Sequence, residues 1–210
     1  VPVLRIGNPS RVNDKMLSFT YERRFEGHPA YTELWGIRKS IREMGNRMRK
    51  SSYSEREAAR SRINHLRERA TELEIQINED LFSGARVIAS TLVSSNHRIL
   101  TGRRFTTLFI DEAAQALEAA CWIAIRKADR VIFAGDHCQL PPTIKCIEAA
   151  RNGLEQTLME KVAANKQETV SLLKVQYRMH QSIMQFSSEW FYQGELQAAP
   201  EVTNRGILDL

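Results

Sequence analysis

The sequence predicts an α/β protein in which a parallel sheet carries an inserted antiparallel helical hairpin. Short apolar runs rich in Val, Ile, Leu and Phe alternate with helical patterns, and this order of elements is typical of parallel sheets. A long charged stretch, in which apolar residues recur every three or four positions, interrupts the alternation after the first run. Together these two observations favour a sheet domain from which a pair of helices projects.

Five apolar runs are predicted to be buried strands, at residues 3–6, 87–89, 108–110, 131–134 and 170–173. Helical patterns of ten or more residues follow the last three of them, at residues 114–127, 153–164 and 180–192. Because ligands of open α/β sheets bind outside the carboxyl ends of the strands, the loops after these strands are the places to search for a site.

The charged stretch, residues 32–80, is predicted to form the helical hairpin. Its apolar residues form a narrow seam, with Leu34, Ile37, Ile41, Met44 and Met48 in one helix and Ile63, Leu66, Ala70, Leu73 and Ile77 in the other. Residues 51–54 are predicted to be the turn, with Ser54 as the N-cap of the second helix. Residues 38–69 hold eleven Lys or Arg against four Glu, which fits either a solvated helix surface or an arm that contacts phosphates.

Composition narrows the class of protein. The chain has 210 residues, of which 42% are apolar, so it can form a packed core, and its formal charge of +5 favours a polyanionic partner. The three cysteines include no C-x-x-C pair, so neither a disulfide framework nor a zinc site is indicated. No apolar run is long enough for a membrane span. A soluble, cytoplasmic protein is therefore predicted, and the absence of an initial Met suggests a fragment of a longer one.

Two adjacent carboxylates, Asp111 and Glu112, follow the predicted strand 108–110 directly. In nucleotide hydrolases a carboxylate at a strand end holds Mg²⁺ through water, and Asp111 is predicted to do so. The next carboxylate orients the attacking water and accepts its proton, which makes Glu112 the predicted general base. The alternative is that the pair only caps the helix that follows, since acids favour helix N-termini.

A second polar loop, residues 135–143, follows the predicted strand 131–134. Gln139 in this loop can hydrogen-bond a γ-phosphate if the two loops meet at one edge of the sheet. The adjacent prolines at positions 141 and 142 predict a rigid turn. His137 and Cys138 have no partner pair at metal spacing, so zinc is not predicted there.

An aromatic residue and a guanidinium stand side by side after the predicted strand 170–173. Tyr177 can stack on an adenine ring, and Arg178 offers a planar charged group suited to a phosphate in transfer. The alternative is an ordinary arginine in a turn between a strand and a helix.

Three segments in this order, DEAAQALEAACW (111–122), GDHCQLPPT (135–143) and VQYRMH (175–180), resemble motifs II, III and IV of the up-frameshift-like group of superfamily 1B helicases. The resemblance extends over essentially the whole chain. It implies a RecA-like parallel sheet of the P-loop NTPase type, with residues 1–31 and 81–147 in the first RecA-like domain, 32–80 as a helical stalk, and 148–210 opening the second RecA-like domain.

The resemblance also implies a role for individual residues. Glu112, Gln139 and Arg178 would be catalytic, and ATP with Mg²⁺ would contact a set comprising Asp111, Gly135, Asp136, Gln139, Gln176, Tyr177 and Arg178. Single-stranded nucleic acid would run along Ser90, Thr91, Pro142 and Thr143, of which the first two lie in a segment similar to motif Ic.

The implied function is part of an ATP-dependent helicase or translocase that moves along single-stranded DNA or RNA as a monomer. A clamp that hydrolyses ATP without unwinding, or a degenerate interaction scaffold, are the alternatives. The sequence contains no G-x-x-x-x-G-K-[ST] loop and no Gly-Lys pair, so the cradle for the phosphates is absent. The chain by itself is therefore predicted not to hydrolyse ATP.

Overall fold

The computed structural model describes residues 1–48 and 53–206 and shows a mixed α/β protein with small parallel sheets. Its contacts group into two compact units, Val1–Arg104 and Phe105–Leu210. Among the described residues there are three two-stranded sheets, each formed by a parallel pair. The predicted α/β class with parallel strands is confirmed, whereas the predicted domain boundaries stay a prediction.

The first unit is built on β1 (Val3–Ile6) and β2 (Val87–Ser90), which pair in parallel with Val3 opposite Val87. The side chains of Leu4 and Ile6 are buried, as expected for alternate positions of a strand that covers a core. Short helices surround this pair: α1 (Asp14–Leu17), α2 (Tyr21–Glu26) and 3₁₀ turns at Pro9–Arg11, Ser94–Asn96 and Arg98–Leu100.

Two long helices, α3 (Tyr31–Met48) and α4 (Tyr53–Ser83), separate β1 from β2 in the chain. They pack on each other through four buried residues: Leu34, Ala70, Leu73 and Ile77. Because Leu34 lies near the start of α3 and the other three lie in the second half of α4, the two helices are antiparallel. All four belong to the apolar seam that the sequence predicts.

The turn of the hairpin differs from the prediction in its capping residue. Ser51 and Ser52 lie outside the described residues, and α4 begins at Tyr53. Ser54 is therefore inside the helix, so its prediction as the N-cap is wrong. Local propensity favours serine at several positions around a helix start, and it does not separate a cap from the first turn.

Polar contacts tie the base of the hairpin to the rest of the first unit. The Tyr21 hydroxyl donates to Asn78 Oδ1 at 2.8 Å, and His28 Nε2 lies 3.2 Å from Asp80 Oδ2. These bonds fix the end of α4 against α2 and the segment that follows it.

The second unit begins with β3 (Phe105–Ile110) and β4 (Ala128–Phe133), which pair in parallel with Ile110 opposite Phe133. The main-chain pairing continues past both strands. Ala134 N–H donates to the Ile110 carbonyl at 2.8 Å, and Ala113 N–H donates to the Ala134 carbonyl at 2.9 Å. The loops after β3 and β4 therefore leave the same edge of this sheet at a fixed spacing.

The helices of the second unit are shorter than their sequence patterns. A 3₁₀ turn (Ala113–Gln115) precedes α5 (Glu118–Ile125), and α6 (Ile147–Ala149) runs into a π turn (Ala150–Leu154). The predicted helix 153–164 is α7 (Leu158–Asn165), because Gly153 has a φ of 93° that ends the preceding turn. Thr157 and Glu160 then form a capping box that starts α7.

The last elements of the second unit are β5 (Val175–Gln176), α8 (Gln181–Phe191) and β6 (Gln197–Ala198), preceded by a 3₁₀ turn (Gln167–Thr169). β5 and β6 are parallel neighbours. The predicted strand 170–173 is wrong, because these residues form no ladder and Leu173 is 87% exposed. A strand needs a neighbouring strand to bond with, and β6 pairs with Val175 and Gln176, which begin two residues beyond the end of the predicted run.

No helix in the described part of the chain is both long and apolar enough to cross a membrane.

Candidate active site

The two adjacent carboxylates lie at the end of β3 and face solvent. Asp111 is exposed, and its Oδ1 accepts a hydrogen bond from the Glu112 N–H at 3.1 Å. Glu112 has a left-handed backbone with φ 51° and ψ 39°, and its side chain makes no capping hydrogen bond. The structure thus gives no support to the alternative in which Glu112 caps the following turn.

The left-handed backbone of Glu112 is costly for a residue with a side chain, by about 1–2 kcal/mol. Such strained residues persist where the surrounding structure fixes them, and they concentrate at functional sites. Here the fixing contact is the hydrogen bond from the next residue, Ala113, to the Ala134 carbonyl. The Glu112 carboxylate is exposed and has no protein partner among the described residues.

Gly135 brings the loop after β4 into close contact with the turn after β3. A Cβ atom at this position would lie 3.0 Å from the backbone nitrogens of Ala113 and Ala114, and 3.1 Å from Met159 Sδ. Two of these neighbours are backbone atoms that cannot move independently. A side chain at this point would push on main chain by a few tenths of an ångström, so glycine is favoured and allows the two loops to touch.

Asp136 is the centre of the hydrogen bonds in the second loop. Its Oδ1 accepts from the Cys138 N–H at 3.0 Å, and its Oδ2 accepts from Gln139 Nε2 at 2.9 Å. The same Oδ2 accepts a hydrogen bond from the Tyr192 hydroxyl. Asp136 is predicted to contact nucleotide, but in this structure both of its oxygens are engaged by protein groups.

The ionisation of Asp136 follows from these bonds. Partial burial by itself raises the pKa of Asp136, but the hydrogen bonds from Tyr192, Gln139 and Cys138 outweigh burial and lower the pKa below its usual value. A lowered pKa means that its stabilising contribution is present above the ordinary carboxyl range and is lost only as pH falls through the lowered value. The carboxylate is therefore charged at neutral pH.

Gln139, the predicted γ-phosphate sensor, is exposed on the loop. One amide N–H is held by Asp136. The other N–H and the carbonyl oxygen have no partner among the described residues. The amide is thus fixed in orientation and still has one donor and one acceptor to offer. In the same loop Pro142 is buried and Thr143 is exposed, so only Thr143 of this predicted nucleic-acid-binding pair faces solvent.

The turn between β5 and α8 is built by the side chain of Gln176. Its Oε1 accepts from the N–H groups of Arg178 and Met179 at 2.8 and 2.9 Å, and its Nε2 donates to the Met179 carbonyl at 2.7 Å. Gln176 is predicted to bind nucleotide, but here its amide braces the turn. Tyr177 is 68% exposed and Arg178 is exposed.

The arrangement is incomplete on the arginine side. In the described part of the chain no hydrogen bond or ion pair joins the Arg178 side chain to Asp111, Glu112 or Gln139. The structure thus brings together the loops after β3 and β4, but it does not place the predicted arginine finger against them.

Ser90 and Thr91 belong to the first unit and lie at and just beyond the end of β2. Both are exposed. Thr91 Oγ1 donates to Ser94 Oγ at 2.9 Å and accepts from the Ser94 N–H at 3.1 Å, which starts the short turn at Ser94–Asn96.

A potential metal cluster, Asp136, His137 and Cys138, has ligand atoms within 4.8 Å of one another. Asp136 and Cys138 are already engaged in hydrogen bonds with protein groups. The Asp136 oxygens accept three hydrogen bonds, and the Cys138 thiol donates to the Phe191 carbonyl at 3.8 Å. Burial and the nearby Asp136 charge raise the pKa of Cys138, so the thiolate that a metal needs is disfavoured.

Most of the chain is similar to known protein families. Two family models, both described as AAA domain, match residues 1–146 and 154–208. DNA-binding protein SMUBP-2 of Rattus norvegicus is 34% identical over 99% of this chain and 22% of the relative. The chain belongs to the up-frameshift-like group of superfamily 1B helicases.

Other relatives agree with this membership. An uncharacterized ATP-dependent helicase of Methanocaldococcus jannaschii is 29% identical over 99% of this chain and 36% of the relative. A regulator of nonsense transcripts 1 homolog of Drosophila melanogaster is 41% identical over 56% of this chain and 10% of the relative. The chain thus spans well under half the length of these relatives.

Two side chains that meet the loop after β4 are not predicted from the sequence. Tyr192 reaches Asp136 from 56 residues away, and Met159 lies where it would meet a Cβ on Gly135. No spacing rule marks either residue, since both are ordinary members of helical patterns. Only the folded arrangement of β4, α7 and α8 shows that they meet the second loop.

Proposed function

We propose that the complete protein couples ATP hydrolysis to movement along a single strand of nucleic acid. One observation carries this proposal: the main-chain bonds past β3 and β4, with the close approach at Gly135, hold an exposed Asp111–Glu112 pair beside the loop that bears Gln139. The printed names of the relatives, a DNA-binding protein, an ATP-dependent helicase and a regulator of nonsense transcripts, support the same function.

The residues present fit a magnesium ion carried with the nucleotide. Asp111 is exposed at a strand end, and its Oδ2 has no hydrogen-bond partner among the described residues. Carboxylate oxygen is the ligand that Mg²⁺ prefers, in the company of waters and phosphate oxygens. Asp111 would hold the ion through water, and the bound ion would neutralise charge on the β- and γ-phosphates.

The remaining chemistry falls to side chains of this chain. Glu112 orients the attacking water and accepts its proton, and its exposed carboxylate has no competing partner in the described residues. Gln139 donates its second amide N–H to the γ-phosphate and offers its carbonyl oxygen to the water. Tyr177 stacks on the base, and Arg178 stabilises the charge that develops on the phosphate in transfer.

Nucleic acid is proposed to follow exposed polar loops and the helical hairpin. Ser90, Thr91 and Thr143 are small, exposed residues that suit backbone contact without sequence preference. On the hairpin, Arg38 pairs with Glu74 at 2.7 Å and Arg69 with Glu33 at 3.0 Å. These two arginines are paired with acidic neighbours, so the other basic residues of residues 38–69 are the better candidates for phosphate contact.

Three arginines toward the tip, Arg56, Arg60 and Arg67, line one groove of the hairpin. Changing all three to glutamate is expected to weaken binding of single-stranded oligonucleotide and to reduce the slope of log affinity against log salt by about 2, at about 0.7 per phosphate. The measurement is a titration at several salt concentrations with the complete protein.

A matched control changes three exposed arginines outside the hairpin to glutamate: Arg23, Arg126 and Arg151. This variant carries the same change in net charge. An equal loss of affinity in both triple variants would assign the effect to net charge, and unchanged binding by the hairpin variant would support the solvated-surface interpretation.

The proposed function is tested by two assays on the purified complete protein. ATP hydrolysis is expected to rise on addition of single-stranded nucleic acid, and a labelled strand is expected to be displaced from a tailed duplex. Hydrolysis without displacement would indicate a clamp. Failure to bind ATP would indicate a scaffold and would overturn the proposal.

A further inference from the structure

The Tyr192 hydroxyl reaches the hydrogen-bond network of the loop after β4, residues 135–143, from the far end of α8. This loop bears Gln139 and is called the sensor loop. The hydroxyl donates to Asp136 Oδ2, the same oxygen that holds the Gln139 amide. A second contact lies beside it, because the Cys138 thiol donates to the Phe191 carbonyl at 3.8 Å. The end of α8 and the loop after β4 are therefore joined at two adjacent points.

Tyr192 is also fixed within its own element. Its N–H donates to the Ser188 carbonyl at 3.0 Å, which closes the last turn of α8. The helix has 11 residues and is therefore about 16 Å long, with the Tyr177–Arg178 turn before its start and Tyr192 directly after its end. β5 and β6, which pair with each other, flank the helix in the chain. The turn that bears Arg178 thus lies before the helix whose C-cap, Tyr192, holds Asp136.

The bond between Tyr192 and Asp136 joins a neutral donor to a charged acceptor. Partial burial, the hydrogen bond to Asp136 and its negative charge raise the pKa of Tyr192, so the phenol remains protonated throughout the physiological range. Asp136 is ionised in that range for the reasons given above. Hydrogen bonds with one charged partner are stronger than neutral ones, so this bond can constrain the carboxylate.

We propose that Tyr192 is a positioning residue of the nucleotide site, which holds the Asp136 carboxylate and through it sets the orientation of the Gln139 amide. The inference rests on the proposed function, because Tyr192 would act in ATP hydrolysis through its effect on Gln139. It also assigns a physical connection between the sensor loop and the helix that follows Arg178.

The shared oxygen is the observation that favours positioning over simple stabilisation. A tyrosine that only anchored α8 could donate to any surface acceptor. Tyr192 donates to the oxygen that Gln139 uses. Loss of the hydroxyl leaves the Cys138 N–H bond to Oδ1 as the other hydrogen bond that holds the carboxylate, so the oxygen bound to the Gln139 amide is held less firmly. The aromatic ring is unchanged by replacement with phenylalanine, which isolates the hydroxyl.

The test is steady-state ATP hydrolysis by the complete protein with saturating single-stranded nucleic acid. Tyr192→Phe is expected to lower kcat about tenfold or more, the range for a hydrogen bond to a charged group, with KM for ATP changed less than about twofold. The control is Tyr31→Phe, because the Tyr31 hydroxyl has no partner among the described residues and its ring contact with Phe25 is kept.

A double-mutant cycle separates positioning from a structural role. In a Gln139→Ala background, Tyr192→Phe is expected to lower kcat by less than about twofold further, because the group that it orients is gone. A full additional loss in that background, or a Tyr192→Phe variant as active as Tyr31→Phe, would overturn the inference and leave the proposed function intact. A parent protein without nucleic-acid-dependent hydrolysis would overturn both.

Discussion

Replacement of Glu112 with glutamine is expected to slow ATP hydrolysis by the complete protein about 10²–10⁴-fold, the usual contribution of a general base. Glutamine keeps the size of the side chain and its ability to hydrogen-bond water, but it cannot accept the proton. ATP binding is expected to change little, because Glu112 is exposed and the proposed ion-holding carboxylate is Asp111. Single-turnover hydrolysis and equilibrium binding of a labelled nucleotide measure the two effects separately.

Two companion variants make the Glu112 result specific. Glu155→Gln removes an exposed carboxylate of the same unit outside the loops and is expected to retain activity. Glu112→Gly also removes the carboxylate, but it relieves the left-handed backbone and is expected to raise the free energy of unfolding by about 1 kcal/mol. If Glu112→Gln kept more than a tenth of the parent rate, Glu112 would not be the general base.

Gly135→Ala is expected to separate the two loops that form the site. The added Cβ would lie 3.0 Å from the backbone nitrogens of Ala113 and Ala114, so main chain must shift rather than a side chain. Overpacking of this kind costs about 1–3 kcal/mol, and a loop shift of a few tenths of an ångström displaces Gln139 relative to Glu112. A lower melting temperature and a lower kcat are both expected.

The matched control for Gly135→Ala is Gly36→Ala. Gly36 lies in α3, and a Cβ there meets nothing within 4 Å. Because alanine is a better helix former than glycine, this variant is expected to be more stable by about 0.5–1 kcal/mol, with unchanged hydrolysis. If Gly135→Ala instead matched the parent in melting temperature and kcat, close contact between the loops would not be needed for the site.

The sequence predicts the part of the site that depends on local pattern. β3 and β4 each end in an apolar run, and an acidic residue follows within three positions, at Asp111 and Asp136. Their parallel pairing and the meeting of the two loops therefore follow from periodicity and from the rule for strand ends. The hairpin seam around Leu34 and Ile77 is equally local, because it needs only a spacing of three and four.

The remainder depends on contacts between distant parts of the chain. β5 is displaced from the predicted run because β6, whose residues pair 22 positions further along the chain (Val175 with Gln197), selects which residues pair. Gln176 is predicted from the sequence to contact nucleotide, whereas in the structure its amide makes three hydrogen bonds within the turn. The bond from Tyr192 to Asp136 joins two residues whose types are common and whose separation is large, so no pattern reveals it.

The backbone pairing beyond β3 and β4 joins the two loops through main-chain groups rather than through side chains. Ala113 and Ala134 contribute only amide and carbonyl groups to it. Ala134 is exposed, so its side chain can vary without disturbing this pairing, whereas Ala113 is fully buried and leaves no room for a larger side chain. Proline is excluded at both positions, because it lacks the N–H that each of them donates to the ladder. We therefore expect related helicases to have no proline at either position.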